Sequence, residues 1–272
     1  MPHAELNGNT IHYDVHSDVG EPLLCVHGLG VDRRGWALQI RPWSERYRVI
    51  VFDNRDVGES SYADQEYGPG DMAEDTLALA DHLELERFDV IGISLGGMVA
   101  QHVALAAPER VRSLTIGFSH GGADPNYAAV RGHLLGQTMR HLTREERIDQ
   151  LMVLCYTEAF FENRPAVEWL RDALLSNPNP QDPEGFARQA MAGSRHDVRD
   201  RLGELSMPVH VIGARRDVLI PVWKSEELAA LVPGAKLTIM EDAGHGAMWE
   251  RAEDFNRMVL EFLAATPSED VR

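Results

Sequence analysis

The sequence predicts an α/β fold, a doubly wound, mainly parallel sheet with a helical insertion. Two observations carry this prediction. Strand-like apolar runs alternate with helix-like runs along most of the chain, and most strand-like runs are apolar throughout, as expected for strands covered on both faces. The alternation stops between residues 121 and 205, where helical patterns follow one another directly.

The predicted strands are short apolar, β-branched runs bounded by turn residues. They are Thr10–His16, Leu23–His27, Arg48–Asp53, Phe88–Ile93, Val111–Phe118, Val209–Ala214 and Lys236–Met240. The helices predicted between them are Met72–Leu85, Leu95–Ala106, Ser225–Leu231 and Ala252–Ala264. Ligands in open sheets of this class bind at the carboxyl ends of the strands, so functional residues are expected in the loops there.

The insertion is predicted to span residues 121–205, between two parts of one core formed by residues 1–120 and 206–272. Its predicted helices are His133–Met139, Arg144–Thr157 and Ala166–Leu175, followed by the breaker-rich stretch SNPNPQDPEG. The flanking segments SHGGADPN and GELSMPV carry the Gly and Pro expected where an excursion leaves and rejoins a sheet.

The composition excludes several partners. Lys and Arg total 26 against 43 for Asp and Glu, a net charge of −17 that repels nucleic acid and anionic membranes. A neutral or cationic small molecule is the easier substrate, but an acidic surface that simply keeps the protein soluble is the preferred explanation of the charge. The N-terminus lacks a basic start before an apolar run, and no later apolar run approaches the ~18 residues of a membrane span. A cytoplasmic location is therefore expected.

No cofactor or metal is expected. Cys25 and Cys155 are the only cysteines, which favours neither a disulfide framework nor a paired-cysteine zinc site. The sequence has no H-E-x-x-H, no Walker sequence and no G-x-G-x-x-G after a strand, so metal, nucleotide and nicotinamide chemistries lack support.

Ser94 is the predicted nucleophile. It is the centre of Gly92-Ile93-Ser94-Leu95-Gly96, which follows the apolar strand RFDVI and precedes the helix-like run GMVAQHVALAA. A sharp strand-to-helix turn leaves no room for flanking side chains, hence the two glycines, and exposes the hydroxyl near a helix N-terminus. A chance G-x-S-x-G is common in isolation but improbable in this context.

Asp217 and His245 are the predicted partners of the serine, which needs a neutral imidazole to take its proton and a carboxylate to orient that imidazole. Each follows a predicted strand, in the order nucleophile, acid, histidine. Singly, Asp217 is explained as a turn or cap residue and His245 as one of twelve histidines; together at successive strand ends they predict a triad. Asp242 is the rival acid.

The backbone amides of Leu29 and Leu95 are the predicted oxyanion donors. Leu29 lies in His27-Gly28-Leu29-Gly30 after the strand LLCV, and Leu95 follows the nucleophile, so the two N–H groups are expected to converge on one oxygen. His27 itself is expected to be structural.

The motifs HGLG, DNRDVGES, GISLGG, GARRD and AGHG, in this order, resemble those of the α/β-hydrolase superfamily over nearly all of the chain outside the insertion. The resemblance implies an eight-stranded sheet and makes residues 121–205 a cap domain over the active site. By position, four residues are candidates for the substrate pocket, each equally explained as core or surface: Trp36, Met98, His120 and Trp249.

Asp56 departs from the family pattern D-x-R-G-x-G-x-S, in which glycine is usual at its position. In this feature the loop resembles that of anthracycline methylesterase-like members, which carry the same aspartate. This resemblance points to ester or lactone substrates. A structural Asp–Arg pair bracing the loop is the preferred explanation.

The resemblance also narrows the activity. Ser94 stands where haloalkane dehalogenases and epoxide hydrolases carry aspartate, and HGLGVD departs from the H-G-x-G-P-G of carbon–carbon bond hydrolases. We therefore expect a serine hydrolase of small esters or lactones that works through an acyl-enzyme. Carbon–carbon hydrolysis, haloperoxidase-type perhydrolysis and a ligand-binding receptor remain alternatives; the oligomeric state stays open, with a homodimer as one option.

Overall fold

Eight strands form one sheet in the part of the chain described by the structure, a computed structural model covering residues 2–126, 130 and 141–266. The strands are β1 (His3–Leu6), β2 (Asn9–His16), β3 (Pro22–Val26), β4 (Arg48–Phe52), β5 (Phe88–Ile93), β6 (Val111–Gly117), β7 (Val209–Ala214) and β8 (Lys236–Met240). Their order is β1-β2-β4-β3-β5-β6-β7-β8. The pairs β1–β2 and β2–β4 are antiparallel, and every other neighbouring pair is parallel. This confirms the predicted eight-stranded, mainly parallel sheet.

The helices lie between the strands and in the insertion. They are α1 (Ala37–Ser44), α2 (Pro69–His82), α3 (Leu95–Ala106), α4 (Arg144–Cys155), α5 (Glu158–Glu162), α6 (Arg164–Leu175), α7 (Pro183–Ser194), α8 (Val222–Leu231), α9 (Ala247–Glu250) and α10 (Ala252–Ala265), with 3₁₀ turns at Arg33–Trp36 and Arg199–Glu204. Across the described ranges, no helix is long and apolar enough to cross a membrane.

Two apolar layers cover the sheet because successive strand residues point to opposite faces. All six residues of β5 are buried. Val90 packs in the layer that contains Val99 of α3, whereas Ile91 packs in the opposite layer with Trp43 of α1 and Phe255 of α10. Full burial of such side chains contributes about 1.5–3 kcal/mol each, so this double-sided core holds the ends of the central strands in fixed positions.

The insertion is helical where the structure describes it. α4 and α6 lie where helices were predicted, and the predicted helix His133–Met139 lies outside the described residues. α7 was not predicted, because the stretch before it is rich in breakers. The last proline of that stretch, Pro183, is the first residue of the helix, and the Asp182 carboxylate caps it by accepting the Gly185 N–H at 2.8 Å.

Candidate active site

Ser94 occupies a strained turn between β5 and α3. Its backbone angles, φ of 56° and ψ of −118°, are ones that residues other than glycine rarely adopt. Hydrogen bonds hold this conformation: the Ser94 N–H donates to the Gly117 carbonyl at 2.9 Å, and the Ser94 carbonyl accepts from the Gly97 N–H at 2.9 Å and the Ser119 hydroxyl at 2.8 Å. The turn therefore presents the serine hydroxyl at the carboxyl end of the central strand.

Gly92 and Gly96 are required by close backbone contacts around this turn. A Cβ on Gly92 would lie 2.1 Å from the Gly96 carbonyl oxygen, and one on Gly96 would lie 2.0 Å from the Val26 carbonyl oxygen. Real side chains never make such contacts, so the spacing of the motif follows from the packing of the turn against β3.

Ser94, His245 and Asp217 form a continuous chain of hydrogen bonds. His245 Nε2 lies 3.0 Å from the Ser94 hydroxyl, and His245 Nδ1 lies 2.7 Å from an Asp217 carboxylate oxygen. An ionised carboxylate only accepts, so Nδ1 carries the proton in this arrangement and Nε2 of a neutral ring is left to accept from the hydroxyl. The structure thus brings together the three residues that the sequence predicted.

The Asp217 carboxylate is held on both sides. Its Oδ1 accepts the N–H groups of Leu219 at 2.8 Å and Ile220 at 2.7 Å, while Oδ2 faces the imidazole. The residue is buried, whereas the rival acid Asp242 is exposed on the loop before His245. Two backbone donors on one oxygen fix the carboxylate in the orientation that aligns His245.

Leu29 lies in a loop that packs against Ser94, and Leu95 directly follows Ser94 in the chain. Leu95 is the first residue of α3, whose N–H has no partner within the helix, and among the described residues neither amide donates to a protein acceptor. A Cβ on Gly28 would lie 3.0 Å from the Ser94 Cβ, so the loop of Leu29 lies directly against Ser94. Both donors are available to a ligand oxygen.

His27 supports this loop from behind. It is buried, its Nδ1 accepts the Gly28 N–H at 2.7 Å, and its carbonyl accepts the Asn54 side-chain amide at 3.1 Å. Burial lowers the pKa of His27 to about 4, so the ring is neutral near pH 7. These contacts are those of a loop brace.

The four residues predicted by position for the pocket do not form one wall. Trp36 is fully buried between His27 and Trp43, so its side chain offers a substrate no surface. Trp249 is half-buried, donates its indole N–H to the Gly35 carbonyl at 2.8 Å and packs on Trp169 of α6.

Met98 and His120 are both buried near the turn of Ser94. Met98 lies on the first turn of α3, and a Cβ on Gly193 of α7 would lie 3.7 Å from its sulfur. The His120 carbonyl accepts from the side chains of Gln101 at 3.1 Å and His196 at 3.0 Å. Of the four candidates, Met98 is therefore the one whose side chain lies where α3 meets α7.

Residues of the insertion contact the site, and the sequence analysis did not identify these contacts. Phe186 of α7 packs over residues 27–30, the oxyanion loop that carries the predicted donor Leu29, since a Cβ on Gly30 would lie 3.2 Å from its ring. The Cys155 carbonyl accepts the Gly246 N–H at 2.8 Å, next to His245. Burial and the nearby Asp217 charge raise the pKa of the Cys155 thiol to about 12, so it is no competing nucleophile. No sequence signal marks these contacts, because they join distant segments.

The contacts of Asp56 explain why an aspartate stands where the family pattern usually has glycine. Its φ is 67°, a conformation that favours the usual glycine. The fully buried carboxylate accepts from Arg188 at 2.8 and 2.9 Å, from the Tyr67 hydroxyl at 2.7 Å and from the Ala63 N–H at 2.8 Å. The expected Asp–Arg pair exists, and its arginine comes from α7 of the insertion.

Known proteins share this architecture. The α/β hydrolase fold family matches residues 21–252. The 2-hydroxy-6-oxononadienedioate/2-hydroxy-6-oxononatrienedioate hydrolase 2 of Pseudomonas putida is 31% identical over 270 residues, which cover 93% of this chain and 91% of that protein.

Two solved structures extend the comparison. The enol-lactonase from Burkholderia xenovorans LB400 has a TM-score of 0.86 and 25% identity, covering 97% of this chain and 100% of its own. A thermophilic esterase from Thermogutta terrifontis has a TM-score of 0.87 and 26% identity, covering 98% and 100%. This protein therefore belongs to the α/β hydrolase fold family and is a hydrolase.

Proposed function

We propose that this hydrolase cleaves a carboxylic ester or lactone of a small molecule, with Ser94, His245 and Asp217 as its catalytic triad. The observation that carries the proposal is the chain of hydrogen bonds from the Ser94 hydroxyl through both nitrogens of His245 to Asp217, at 3.0 and 2.7 Å. These distances meet the geometric requirement for a base that takes the proton of its nucleophile.

The first half of the reaction forms an acyl-enzyme. His245 Nε2 takes the hydroxyl proton as the Ser94 oxygen attacks the carbonyl carbon, and the Leu29 and Leu95 N–H groups bind the oxyanion that develops. The C–O bond to the leaving group then breaks, and His245 gives its proton to the departing alkoxide oxygen. Asp217 stabilises the imidazolium in between.

The second half releases the acid. A water molecule gives a proton to His245 Nε2 and attacks the acyl carbon, the same two amides bind the second oxyanion, and the bond to the Ser94 oxygen breaks. The proton returns to that oxygen, which restores the free enzyme. In a lactone the alcohol and the acid are parts of one product molecule.

Residues 121–205 are proposed to act as a cap over this site. Phe186 packs on the oxyanion loop, and a Cβ on Gly193 would lie 3.2 Å from the Leu95 side chain. Together with the Cys155–Gly246 hydrogen bond, these contacts of the described part of the insertion support the proposed cap. A covered, apolar site strengthens the pull of the oxyanion donors on a developing charge.

Carbon–carbon bond hydrolysis is a second candidate. It is favoured by the Pseudomonas putida relative, whose name states such a substrate, at 31% identity. The loop HGLGVD, together with the esterase and enol-lactonase structures, favours esters or lactones.

The experiment that tests the proposal is turnover of p-nitrophenyl esters from acetate to decanoate by wild type and Ser94→Ala. An esterase turns over many equivalents, loses this activity in the variant and shows its chain-length preference. A burst of about one equivalent without turnover would instead support a ligand-binding receptor. Absence of turnover in both proteins would contradict the general ester activity and favour a narrower lactonase or the carbon–carbon candidate.

A further inference from the structure

Gln189 of α7 joins the insertion to the oxyanion loop. Its side-chain oxygen accepts the Gly30 N–H at 3.0 Å, one residue from the Leu29 amide. The same oxygen accepts from the Gln181 side chain at 3.0 Å, and the Gln189 NH₂ group donates to the Arg55 carbonyl at 2.8 Å. The side chain is 1% exposed, so these partners, not water, determine its position.

The bond from Gln189 reaches the central peptide of a tight turn. The Val31 N–H donates to the Gly28 carbonyl at 3.3 Å, which closes a four-residue turn with Leu29 and Gly30 in its middle. Gly30 has a φ of 78°, as at the third position of a type II turn. Type I and type II turns differ in the orientation of this central peptide, so an acceptor for the Gly30 N–H selects one of them.

Loss of this acceptor would leave the turn without its anchor. A buried N–H that loses its acceptor carries an uncompensated desolvation penalty, which favours a rearranged turn in which the group finds another partner. The neighbouring Leu29 N–H would then leave the position it holds beside Ser94. An oxyanion donor acts only when it is correctly aimed before the charge develops.

We propose that Gln189 is a positioning residue that holds the Leu29 amide in place for the oxyanion, so that the insertion takes part in catalysis through the oxyanion loop. This inference depends on the proposed function, because Leu29 acts only if the reaction passes through an oxyanion. It assigns Gln189 an effect on the transition state and none on the binding of the ground-state substrate.

Two variants of adjacent α7 residues separate positioning from simple docking of the insertion. In Gln189→Met, a methionine side chain of similar size replaces the glutamine, and the acceptor of the Gly30 N–H is lost. Arg188→Gln breaks the ion pair with Asp56 at the same junction without touching the oxyanion loop. Both are assayed for kcat and KM with the preferred p-nitrophenyl ester and for the rate at which a fluorophosphonate modifies Ser94.

We expect Gln189→Met to lower kcat about 10-fold and to slow phosphonylation by a similar factor, because an aimed donor is misplaced rather than removed. KM is expected to stay within about twofold, and Arg188→Gln is expected to retain kcat within about threefold. Binding of a trifluoromethyl ketone, which mimics the oxyanion, is expected to weaken in Gln189→Met in step with kcat.

Each other outcome has a distinct meaning. A Gln189→Met protein that raises KM alone, or an equal loss of kcat in both variants, overturns the positioning role and leaves docking of the insertion. If wild type hydrolyses no ester but its Ser94 is phosphonylated, the ester proposal fails while the phosphonylation rates still decide the role of Gln189. If wild-type Ser94 is not phosphonylated, both proposals fail.

Discussion

Asp56 and Arg188 form a two-pronged ion pair that ties the loop after β4 to α7, with both carboxylate oxygens accepting from the guanidinium at 2.8 and 2.9 Å. The Asp56 side chain is fully buried and Arg188 is about a quarter exposed. Removing one partner of such a pair leaves the other charge without compensation in a poorly solvated site. The pair therefore makes docking of the insertion dependent on a residue that replaces the usual glycine.

The first prediction concerns the stability of that loop. Asp56→Ala is expected to lower the free energy of unfolding by about 3–5 kcal/mol, because it strands Arg188 and the Tyr67 hydroxyl. Asp56→Gly loses the same contacts but relieves the φ of 67°, so it is expected to be about 1 kcal/mol less destabilising. Urea denaturation at pH 7 measures both. Equal stabilities, or a less stable glycine variant, would contradict this role of the backbone.

The second prediction concerns Asp217, the proposed acid of the triad. Asp217→Asn is expected to lower kcat by about 10⁴-fold with little change in fold, because an amide no longer enforces the imidazole tautomer and does not stabilise the imidazolium. The matched variant Asp242→Asn changes an exposed carboxylate of the neighbouring loop and is expected to retain kcat. Steady-state kinetics on an ester substrate distinguish them. A larger loss in Asp242→Asn would reassign the acid.

The third prediction concerns the turn that carries Ser94. Gly96→Ala would force a Cβ to within 2.0 Å of the Val26 carbonyl oxygen, so the turn and β3 must separate. Gly203→Ala, at a site where a Cβ meets nothing within 4 Å, is the matched control. We expect Gly96→Ala to lower both the thermal midpoint and ester turnover, and Gly203→Ala to change neither. A fully active Gly96→Ala enzyme would show that this contact is not required.

The fourth prediction concerns acid stability. Burial lowers the pKa of His27 and His210 to about 4 and that of His196 to about 3, whereas burial raises the pKa of Asp89 to about 6. Below pH 6.5 the unfolded chain takes up protons on these histidines that the folded chain does not, so the free energy of unfolding falls as pH falls. Asp89 acts in the opposite sense, because the folded state protonates it first.

These shifts set the window of acid sensitivity between about pH 6.5 and pH 4. Each histidine contributes up to about 1.4 kcal/mol per pH unit there, and Asp89 offsets one of the three. His196→Gln is expected to reduce the slope by about one proton. Denaturation at several pH values measures it, and an unchanged slope in the variant would show that His196 is not held neutral in the folded state.

Local patterns were enough to predict the three residues that the structure joins by hydrogen bonds. Ser94 is marked by two glycines that its turn requires, and Asp217 and His245 each follow a strand whose end the core fixes. Such residues are predictable because short segments determine their positions. β1 was missed, since HAEL is too short and too polar to form an apolar run.

Contacts between distant segments were not predictable in this way. Trp36 was a pocket candidate by position, but its ring faces His27 and Trp43 in the core. Arg188, the partner of Asp56, lies 132 residues away on α7, a helix that was not predicted because breaker residues precede it. Gln189 lies 159 residues from Gly30. Which face of the insertion meets the core depends on packing that no local pattern records.

The central claim is that Ser94 carries the acyl group, and intact mass after rapid mixing with p-nitrophenyl acetate tests it most directly. We expect a transient acetyl adduct that peptide mapping places on Ser94, its hydrolysis on the timescale of turnover, and no adduct in Ser94→Ala. An acetyl group on another residue, or unchanged turnover in Ser94→Ala, would contradict the account.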